Sequence, residues 1–430
     1  MDRAGPPRRI LLGAFGDPGH AFPMIALGRA LAARGHDVTL QTWARWREHV
    51  QAQGMRFAAA PEYQVFPNGP EPLDFYEAVV HATRDTLALL EQSAPEVVVA
   101  DILTLAPALA AEIHGVAFAT LIPHVYPDAE PHFPVYSLGA RLPRTAFGRL
   151  MWRASQRAVA VGLERGRVQL NDTRARLGLA PLPYFHGGIS RRLALVATLP
   201  ALEYPRAWPE HVHVVGPLMW EPPAAELQAY PSPGSTSVGA VAAPGSAPEL
   251  PLVLVAPSTA QDPGHHLLHS ALEGLAELPV RVLGTWNGRL PSAPLRVPAN
   301  ARVLPWVTYS RTMPLCAAVV CHAGHGTLVR ALTSGAPVLA CPAAGDMNEN
   351  SARLDWAGAG LRLPRRFVSP RSIAAAVQRI LDDPAIARRA QEIARWAAAH
   401  DAGTAASLLV ENLAACGAPH AGARSGPVTG

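Results

Sequence analysis

The chain has 430 residues, of which 49% are hydrophobic and only 16% are charged, so the composition predicts a well-buried globular protein and excludes a disordered one. All 37 basic residues are arginine. The absence of lysine excludes a P-loop and any Schiff-base or pyridoxal enzyme, because each of these needs a lysine. The net charge of +4 does not indicate nucleic-acid binding, because the arginines form no basic run interleaved with aromatic residues.

The first half of the chain alternates between strand and helix patterns. A short apolar strand is followed by a helical pattern that ends at Arg34-Gly35, and a second strand comes directly after it. This β-α-β order favours a parallel sheet. Two loops rich in proline and aromatic residues interrupt the pattern, and such loops often line sites in α/β proteins. The predicted strands cover residues 9–14, 37–41, 97–100 and 117–122, and the loops cover residues 61–75 and 123–136.

The second half repeats the alternation after a segment of proline, glycine and serine that favours a linker. Its predicted strands cover residues 252–256, 280–284, 317–321 and 338–341. The sequence therefore predicts two open α/β domains with a cleft between the carboxyl ends of their sheets. The predicted division is 1–216 for the first domain, 217–250 for the linker, 251–384 for the second domain, 385–416 for one helix, and 417–430 for a disordered tail.

Two polar residues follow neighbouring strand patterns in the first half. His20 comes after the first strand, at the start of the first helix, and Asp101 directly follows the strand at 97–100. If these strands are neighbours, Asp101 can accept a hydrogen bond from one nitrogen of His20 and leave the other nitrogen free to take a proton. A helix N-terminus also disfavours the protonated imidazole. Alternatively, His20 and Asp101 each have only a structural role, such as capping a helix.

The stretch from Cys321 to Asn350 is the most informative part of the chain. A buried strand ends in a turn that contains glycine, and a helix starts at once, so backbone N–H groups at the helix start are left unpaired. A diphosphate is the natural occupant of such a turn. A second turn about twenty residues later places polar side chains beside the same spot. The spacing predicts a site for a nucleoside-diphosphate compound.

These motifs resemble those of nucleotide-sugar-dependent glycosyltransferases with the GT-B fold, family 1 type, which include bacterial macrolide and enediyne glycosyltransferases. The opening of the chain is similar in Gly19-His20, Pro23 and Arg34-Gly35-His36. The resemblance covers both halves of the chain and implies two Rossmann-like β/α/β domains that face each other across a cleft. It implies that the domain at 1–216 binds the acceptor, that the domain at 251–384 binds the nucleotide-sugar donor, and that the helix at 385–416 packs back toward the first domain. The donor signature is similar at Trp306, His322, Gly324, Gly326, Thr327, Gly335, Pro337, Pro342, Asp346 and Asn350.

The resemblance also implies roles for individual residues. His20 would be the general base and Asp101 its partner, and Trp306 would stack on the nucleotide base. His322 and the turn formed by Gly324, His325, Gly326 and Thr327 would hold the diphosphate. Asp346, with Met347 and Asn350 beside it, would bind the sugar. The implied reaction is an inverting, metal-independent transfer of a hexose from a UDP- or dTDP-sugar to a hydroxyl of a hydrophobic natural product such as a polyketide, with no cofactor.

Two residues depart from the pattern of the family. The family usually has glutamine after the sugar-binding aspartate, and this chain has Met347, which offers an apolar surface. We therefore expect a deoxygenated donor sugar. The family often has an acidic residue that contacts ribose where this chain has Arg330, so the ribose contact and the identity of the base stay open.

Other functions remain open at this stage. Gly13, Gly16 and Gly19 form a glycine-rich turn, but their spacing is not the dinucleotide fingerprint of a nicotinamide-dependent oxidoreductase. A lipid-linked sugar transferase, a nucleotide-sugar epimerase and a non-catalytic binding protein of the same fold are further alternatives.

The remaining expectations concern metals, partners and location. No Asp-x-Asp motif and no Cys-x-x-Cys pair are present, so no metal site is expected. The apolar regions are interrupted by charges and no signal peptide is recognised, so a cytoplasmic protein without membrane association is expected. The acceptor, the type of glycosidic linkage and the oligomeric state are not predicted.

Overall fold

The computed structural model describes residues 6–61, 75–223, 250–258, 262–288 and 290–417. Most of the loop predicted at 61–75, most of the linker and nearly all of the predicted tail lie outside the described residues. The described strands are β1 Arg9–Gly13, β2 Asp37–Thr42, β3 Arg56–Ala59, β4 Val97–Asp101, β5 Ala117–Ile122, β6 Ala194–Val196, β7 Val212–Val214, β8 Leu252–Ala256, β9 Arg281–Thr285, β10 Ala301–Leu304, β11 Ala318–Cys321, β12 Val338–Ala340 and β13 Gly360–Arg362.

Helices connect these strands along the chain. They are α1 Pro18–Ala33, α2 Arg47–Ala52, α3 Phe75–Ser93, α4 Leu105–His114, α5 Ala146–Arg176, α6 His266–Gly274, α7 Tyr309–Thr312, α8 His325–Thr333, α9 Asp346–Ala357, α10 Pro370–Asp382, α11 Pro384–Ala398 and α12 Ala402–Ala415. The strands β4 and β8 are buried along their whole length. Their nearly continuous apolar sequences are typical of parallel strands that are covered on both faces.

The strands form two parallel sheets, as predicted. The first sheet has the order β3-β2-β1-β4-β5-β6-β7, and the second has the order β10-β9-β8-β11-β12-β13. The direction of winding reverses between β1 and β4 in the first sheet and between β8 and β11 in the second. In α/β sheets the crevice at the carboxyl ends of such strands is where ligands bind. The two reversals therefore locate the candidate site in each half.

The prediction of one helix over residues 385–416 is wrong. The structure has α11 and α12, separated at Ala399, because Asp401 caps a new helix by accepting a hydrogen bond of 3.1 Å from the Thr404 amide. The second of these helices packs on the first half of the molecule. There Glu411 accepts hydrogen bonds from Arg34 at 2.5 and 2.9 Å and contacts Nε2 of His36 at 2.7 Å.

The start of the predicted linker is packed against the first half. Trp220 is only 5% exposed, and its ring lies 5.0 Å from the ring of Phe22 and 6.4 Å from that of Trp46, measured between centroids. Leu218 is buried in the same cluster. Residues 217–220 therefore pack on the first apolar core, although the prediction placed them in the linker.

The helix α5, of 31 residues, follows the loop predicted at 123–136. Within that loop, Tyr126 and Phe133 are buried among other aromatic rings and line no open surface. Among the described residues, no helix combines the length and the apolar content that crossing a bilayer requires.

Candidate active site

The structure brings His20 and Asp101 into direct contact. His20 lies in the first turn of α1, and Asp101 is the last residue of β4. Nδ1 of His20 is 2.8 Å from Oδ1 of Asp101, and the second carboxylate oxygen accepts a hydrogen bond of 3.2 Å from the Leu103 amide. The carboxylate is fully buried, whereas the imidazole side chain is 16% exposed. With Nδ1 donating to Asp101, Nε2 of the neutral ring is free to accept a proton.

Charges around His20 favour its protonated form. Burial lowers the pKa of His20, but the charge and the hydrogen bond of Asp101 raise it, with smaller contributions from Asp17 and Asp346. The net result is a pKa above the ordinary value of 6.5. The expectation that the start of α1 would keep the imidazole unprotonated is therefore wrong in sign, because the adjacent carboxylate outweighs the burial and the helix terminus.

One residue beside His20, His124, was missed by the sequence analysis. The ring of His124 lies 6.4 Å from that of His20, and the ring of Tyr136 lies 6.5 Å from that of His124. Nδ1 of His124 is 2.8 Å from the carbonyl oxygen of Val125, and burial lowers the pKa of this histidine. His124 follows β5 by two residues, so its position after a parallel strand was a usable signal.

An apolar cavity of about 80 Å³ lies at the carboxyl edge of the first sheet. The Phe15 ring, which lines this cavity, lies 6.1 Å from the His20 ring. Residues of α3 and α4 also line the cavity. Its larger apolar lining residues are Phe15, Trp43, Val79, Leu103, Leu105 and Pro107, and its polar lining includes Gln41 and Thr86.

In the second half, β11 ends in the tight turn that leads into α8. Ala323 has a φ of 63°, and a Cβ atom on Gly324 would lie 2.3 Å from Nε2 of His322, so the ring of His322 closes over this glycine. The first helical hydrogen bond runs from the Leu328 amide to the Gly324 carbonyl oxygen. The amides of the first turn thus precede the hydrogen-bonded part of the helix, and a Cβ atom on Gly326 would meet open space.

The two histidines of this turn have different surroundings. Nδ1 of His322 lies 3.3 Å from the Ala256 carbonyl oxygen, and burial lowers the pKa of this residue. The ring of His325 points into the interior, where burial lowers its pKa to about 3. The side chain of His325 therefore does not lie on the open surface of the turn.

The second predicted turn lies against the first. Gly345 has a φ of 57° and a ψ of −132°, which only glycine adopts readily, and Asp346 follows it as the exposed first residue of α9. The side-chain amide of Asn350 donates to the Ala323 carbonyl oxygen at 3.0 Å and to Oδ2 of Asp346 at 3.4 Å. Asn350 thus connects the two turns and fixes the carboxylate of Asp346 relative to α8.

Trp306 and the two residues that depart from the family pattern, Met347 and Arg330, occupy distinct positions. The half-buried side chain of Met347 packs against an apolar cluster that Tyr136 also contacts. Trp306 follows β10 and is 38% exposed. Arg330 donates to the Trp220 carbonyl oxygen at 3.1 Å and lies 3.8 Å from Glu221, so it anchors the segment that leaves the first half.

The two halves meet at this site. The carboxylate of Asp346, in the second half, acts to raise the pKa of His20 and of His124 in the first half, as well as that of His322. One negative group therefore faces the histidines of both sheets across the cleft.

Comparisons with known proteins agree with this architecture. Residues 270–412 match the family described as "Erythromycin biosynthesis protein CIII-like, C-terminal domain". The 4'-demethylrebeccamycin synthase of Lentzea aerocolonigenes is 28% identical over 437 residues, covering 94% of this chain and 99% of the relative. The O-mycaminosyltylonolide 6-deoxyallosyltransferase of Streptomyces fradiae is 29% identical over 440 residues, covering 94% of this chain and 97% of the relative.

Solved structures match over the same extent. The calicheamicin glycosyltransferase CalG4 has a TM-score of 0.70 at 22% identity, and the match covers 96% of this chain and 100% of that one. The glycosyltransferase SsfS6 of Streptomyces sp. SF2575, complexed with thymidine diphosphate, has a TM-score of 0.63 at 20% identity, covering 94% and 99%. The resemblance and the fold predicted from the motifs are confirmed, and the chain is a glycosyltransferase with the GT-B fold, similar to those of antibiotic biosynthesis.

Proposed function

We propose that the chain transfers a sugar from a nucleoside-diphosphate donor to a hydroxyl group of an apolar small molecule, with inversion at the anomeric carbon and without a metal. The observation that carries this proposal is the pairing of His20 with Asp101 on one side of a cleft whose other side presents Asp346 and the open start of α8.

His20 has the geometry of a general base in this reaction. Its Nε2 atom takes the proton of the acceptor hydroxyl while that oxygen attacks the anomeric carbon. Asp101 holds the ring through Nδ1 at 2.8 Å and stabilises the imidazolium that forms. Proton removal of this kind typically contributes about 100- to 10,000-fold to the rate. As the new bond forms, the bond from the anomeric carbon to the diphosphate oxygen breaks, and the nucleoside diphosphate leaves with the electron pair.

The start of α8 supports the departure of the diphosphate. A helix N-terminus carries roughly half a positive charge, and the open space above Gly326 lets an anion approach the backbone closely. His322 closes one side of this space. When Nδ1 of its neutral ring donates to the Ala256 carbonyl oxygen, Nε2 can donate to a phosphate only after it takes up a proton.

Backbone amides at the start of α8 can serve the role that a metal serves in other transferases, which supports the metal-independent proposal. In the part of the chain that the structure describes, no group of three or more His, Cys, Asp or Glu side chains is arranged to hold a metal ion. Attack from the face opposite the leaving group inverts the anomeric carbon.

A dTDP-linked deoxysugar is the donor that we propose. The S. fradiae relative is named as a 6-deoxyallosyltransferase, and the structural match SsfS6 was solved with thymidine diphosphate. Met347 supports a deoxygenated sugar, because its thioether cannot usefully bond a sugar hydroxyl. Trp306 leaves more than a third of its surface exposed, which suits stacking on the nucleotide base.

The acceptor is proposed to enter through the cavity beside Phe15. Its lining is almost entirely apolar, and the ring of Phe15 in this lining lies 6.1 Å from the imidazole of His20, measured between centroids. A hydrophobic aglycone fits this lining better than a sugar or a peptide does, because polar groups buried there would lose their hydrogen bonds to water.

Replacing His20 by alanine tests the proposal. We expect turnover of a dTDP-sugar to fall by about 100- to 10,000-fold while the affinity for dTDP, measured calorimetrically, stays unchanged. His114→Ala, an exposed histidine at the far end of α4, is the control and is expected to behave as the wild type. Turnover by His20→Ala within tenfold of the wild type would reject His20 as the base.

A further inference from the structure

Three charged side chains are buried where the two halves of the molecule meet. Arg353 of α9 lies 2.9 Å from a carboxylate oxygen of Glu203 in the first half and 2.8 Å from Glu349 on its own helix. All three side chains are at most 5% exposed. Arg353 therefore bridges the halves inside the protein and not on its surface.

Further contacts fix the orientation of Arg353. Its NH1 group also donates to the Leu202 carbonyl oxygen at 3.2 Å. The guanidinium carbon lies 3.8 Å from the centre of the Tyr204 ring, which is a stacking distance. The Tyr204 ring thus covers one face of the guanidinium, and Leu202 and Glu203 both accept hydrogen bonds from its NH1 group.

Glu203 links this cluster to the residues beside His20. Its other carboxylate oxygen accepts a hydrogen bond of 2.7 Å from the amide of Tyr126. Tyr126 lies two residues after His124, whose ring is 6.4 Å from that of His20. One carboxylate therefore connects Arg353 of the second half to the segment that borders the proposed base.

The segment that follows Tyr126 also contacts α9, near both ends of this helix. A Cβ atom on Gly139 would come within 2.9 Å of Asn348, and Arg141 forms an ion pair of 2.8 Å with Asp355. Asp346 precedes Arg353 by seven residues, or about two helical turns. A helix that is held at Arg353 and at Asn350 has a fixed first turn, and Asp346 lies in that turn.

A buried ion pair adds little net stability compared with apolar residues of the same size, because both charges lose their hydration. Such a pair instead fixes the orientation of the groups that it joins. Here the pair connects the helix that carries Asp346 to the segment that borders His20, and one oxygen of Glu349 has no hydrogen-bond partner. The cluster therefore has a desolvation cost that apolar side chains with only a packing role would not have.

We propose that Glu203 and Arg353 are positioning residues, which hold Asp346 at a fixed distance from His20 and so align the donor sugar with the base. This inference rests on the proposed function for the roles of Asp346 and His20. The part of the inference that concerns the distance between Asp346 and His20 does not depend on the proposed function.

The variants Arg353→Met and Glu203→Gln test this role. We expect kcat to fall by roughly 10- to 100-fold, because small displacements of reacting groups cost that much, while the affinity for dTDP alone changes by less than about threefold. Arg174→Met is the matched control. It breaks the ion pair of an equally buried arginine, Arg174, with the more exposed Glu112 at 2.7 Å, within the first half. It is expected to lower the melting temperature and leave kcat unchanged.

A second readout does not need turnover. The charged groups that face His20 are Asp101 from β4, Asp17 from the start of its own helix and Asp346 from α9, with His124 nearby. If Arg353→Met lets Asp346 move away, the pKa of His20 measured by NMR falls, and it stays unchanged in Arg174→Met. This shift in a protein without transferase activity would retain the positioning role and reject the proposed function.

The proposal is overturned if Arg353→Met and Glu203→Gln only lower the melting temperature, as Arg174→Met does, with kcat and the pKa of His20 unaltered. Glu203→Gln is included because it keeps the size of the side chain and the hydrogen bond from Tyr126, so a folded protein is expected even if Arg353→Met unfolds.

Discussion

Nδ1 of His20 and Oδ1 of Asp101 lie 2.8 Å apart, although 81 positions separate them in the chain. They meet because β1 and β4 are neighbours in the parallel sheet, where Gly13 is paired with Ala100. His20 and Asp101 therefore lie at the same carboxyl edge of the sheet. The contact gives the imidazole a fixed orientation and a raised pKa, and the first prediction follows from that pKa.

Activity should depend on pH through His20. A base must be neutral to accept a proton, and the pKa of His20 is raised above 6.5. We therefore expect kcat/KM of the wild type to decrease as the pH is lowered through this raised pKa. Asp101→Asn removes the main group that raises this pKa, and the burial that lowers it remains. We expect the acidic limb to move to lower pH while the maximal rate falls. The measurement is kcat/KM between pH 5 and 9.

The outcome for Asp17→Asn serves as a control, since Asp17 contributes less to the pKa of His20 than Asp101 does. Its acidic limb should move in the same direction by a smaller amount. An acidic limb that stays in place or moves to higher pH in Asp101→Asn would show that His20 is not the group that titrates.

The central strands were predictable because burial on both faces leaves a continuous apolar signature. Residues 252–256 and 117–122 were predicted with the bounds that the structure has for β8 and β5. The short strands β3, β6, β7, β10 and β13 were not predicted. Each has only three or four residues, too few for a periodic pattern to stand out, and pairing with a longer neighbour in the sheet stabilises it.

The candidate site was predictable where a motif joins a strand to a helix, as at His20 and at the turn before α8. Sequence patterns could not predict the parts of the site that depend on contacts between residues far apart in the chain. Whether His325 faces the cleft or the interior, and whether Arg330 contacts a ligand or the Trp220 carbonyl oxygen, is decided by packing between the halves. The sign of the pKa shift of His20 depends in the same way on groups from three elements.

The turn before α8 gives a prediction in which stability and binding change in opposite directions. Gly326→Ala adds a methyl group that meets no protein atom within 4 Å, in the first turn of a helix. Alanine in a helix is more stable than glycine by up to about 1 kcal/mol, so the melting temperature should stay the same or rise. If the diphosphate occupies this space, the affinity for dTDP should fall at least about tenfold, as calorimetry can measure.

Gly162→Ala is the matched control, because Gly162 is also a helical glycine with open space around it and lies on α5. It should give the same gain in stability with unchanged affinity for dTDP. Unchanged affinity in Gly326→Ala as well would place the diphosphate elsewhere.

Met347 provides a prediction about the donor sugar. Its side chain is half-buried beside Tyr136 and the apolar cluster, so a hydroxyl that approaches it gains no hydrogen bond. The wild type should therefore prefer a dTDP-deoxysugar to dTDP-glucose. Met347→Gln restores a donor and an acceptor, and one hydrogen bond is worth about 0.5–1.5 kcal/mol, so the ratio of kcat/KM values should move toward glucose by roughly 2- to 10-fold. Met347→Leu keeps the apolar surface and should keep the preference. A wild-type enzyme that prefers glucose would contradict the proposed link between this methionine and a deoxygenated donor, whatever the variants do.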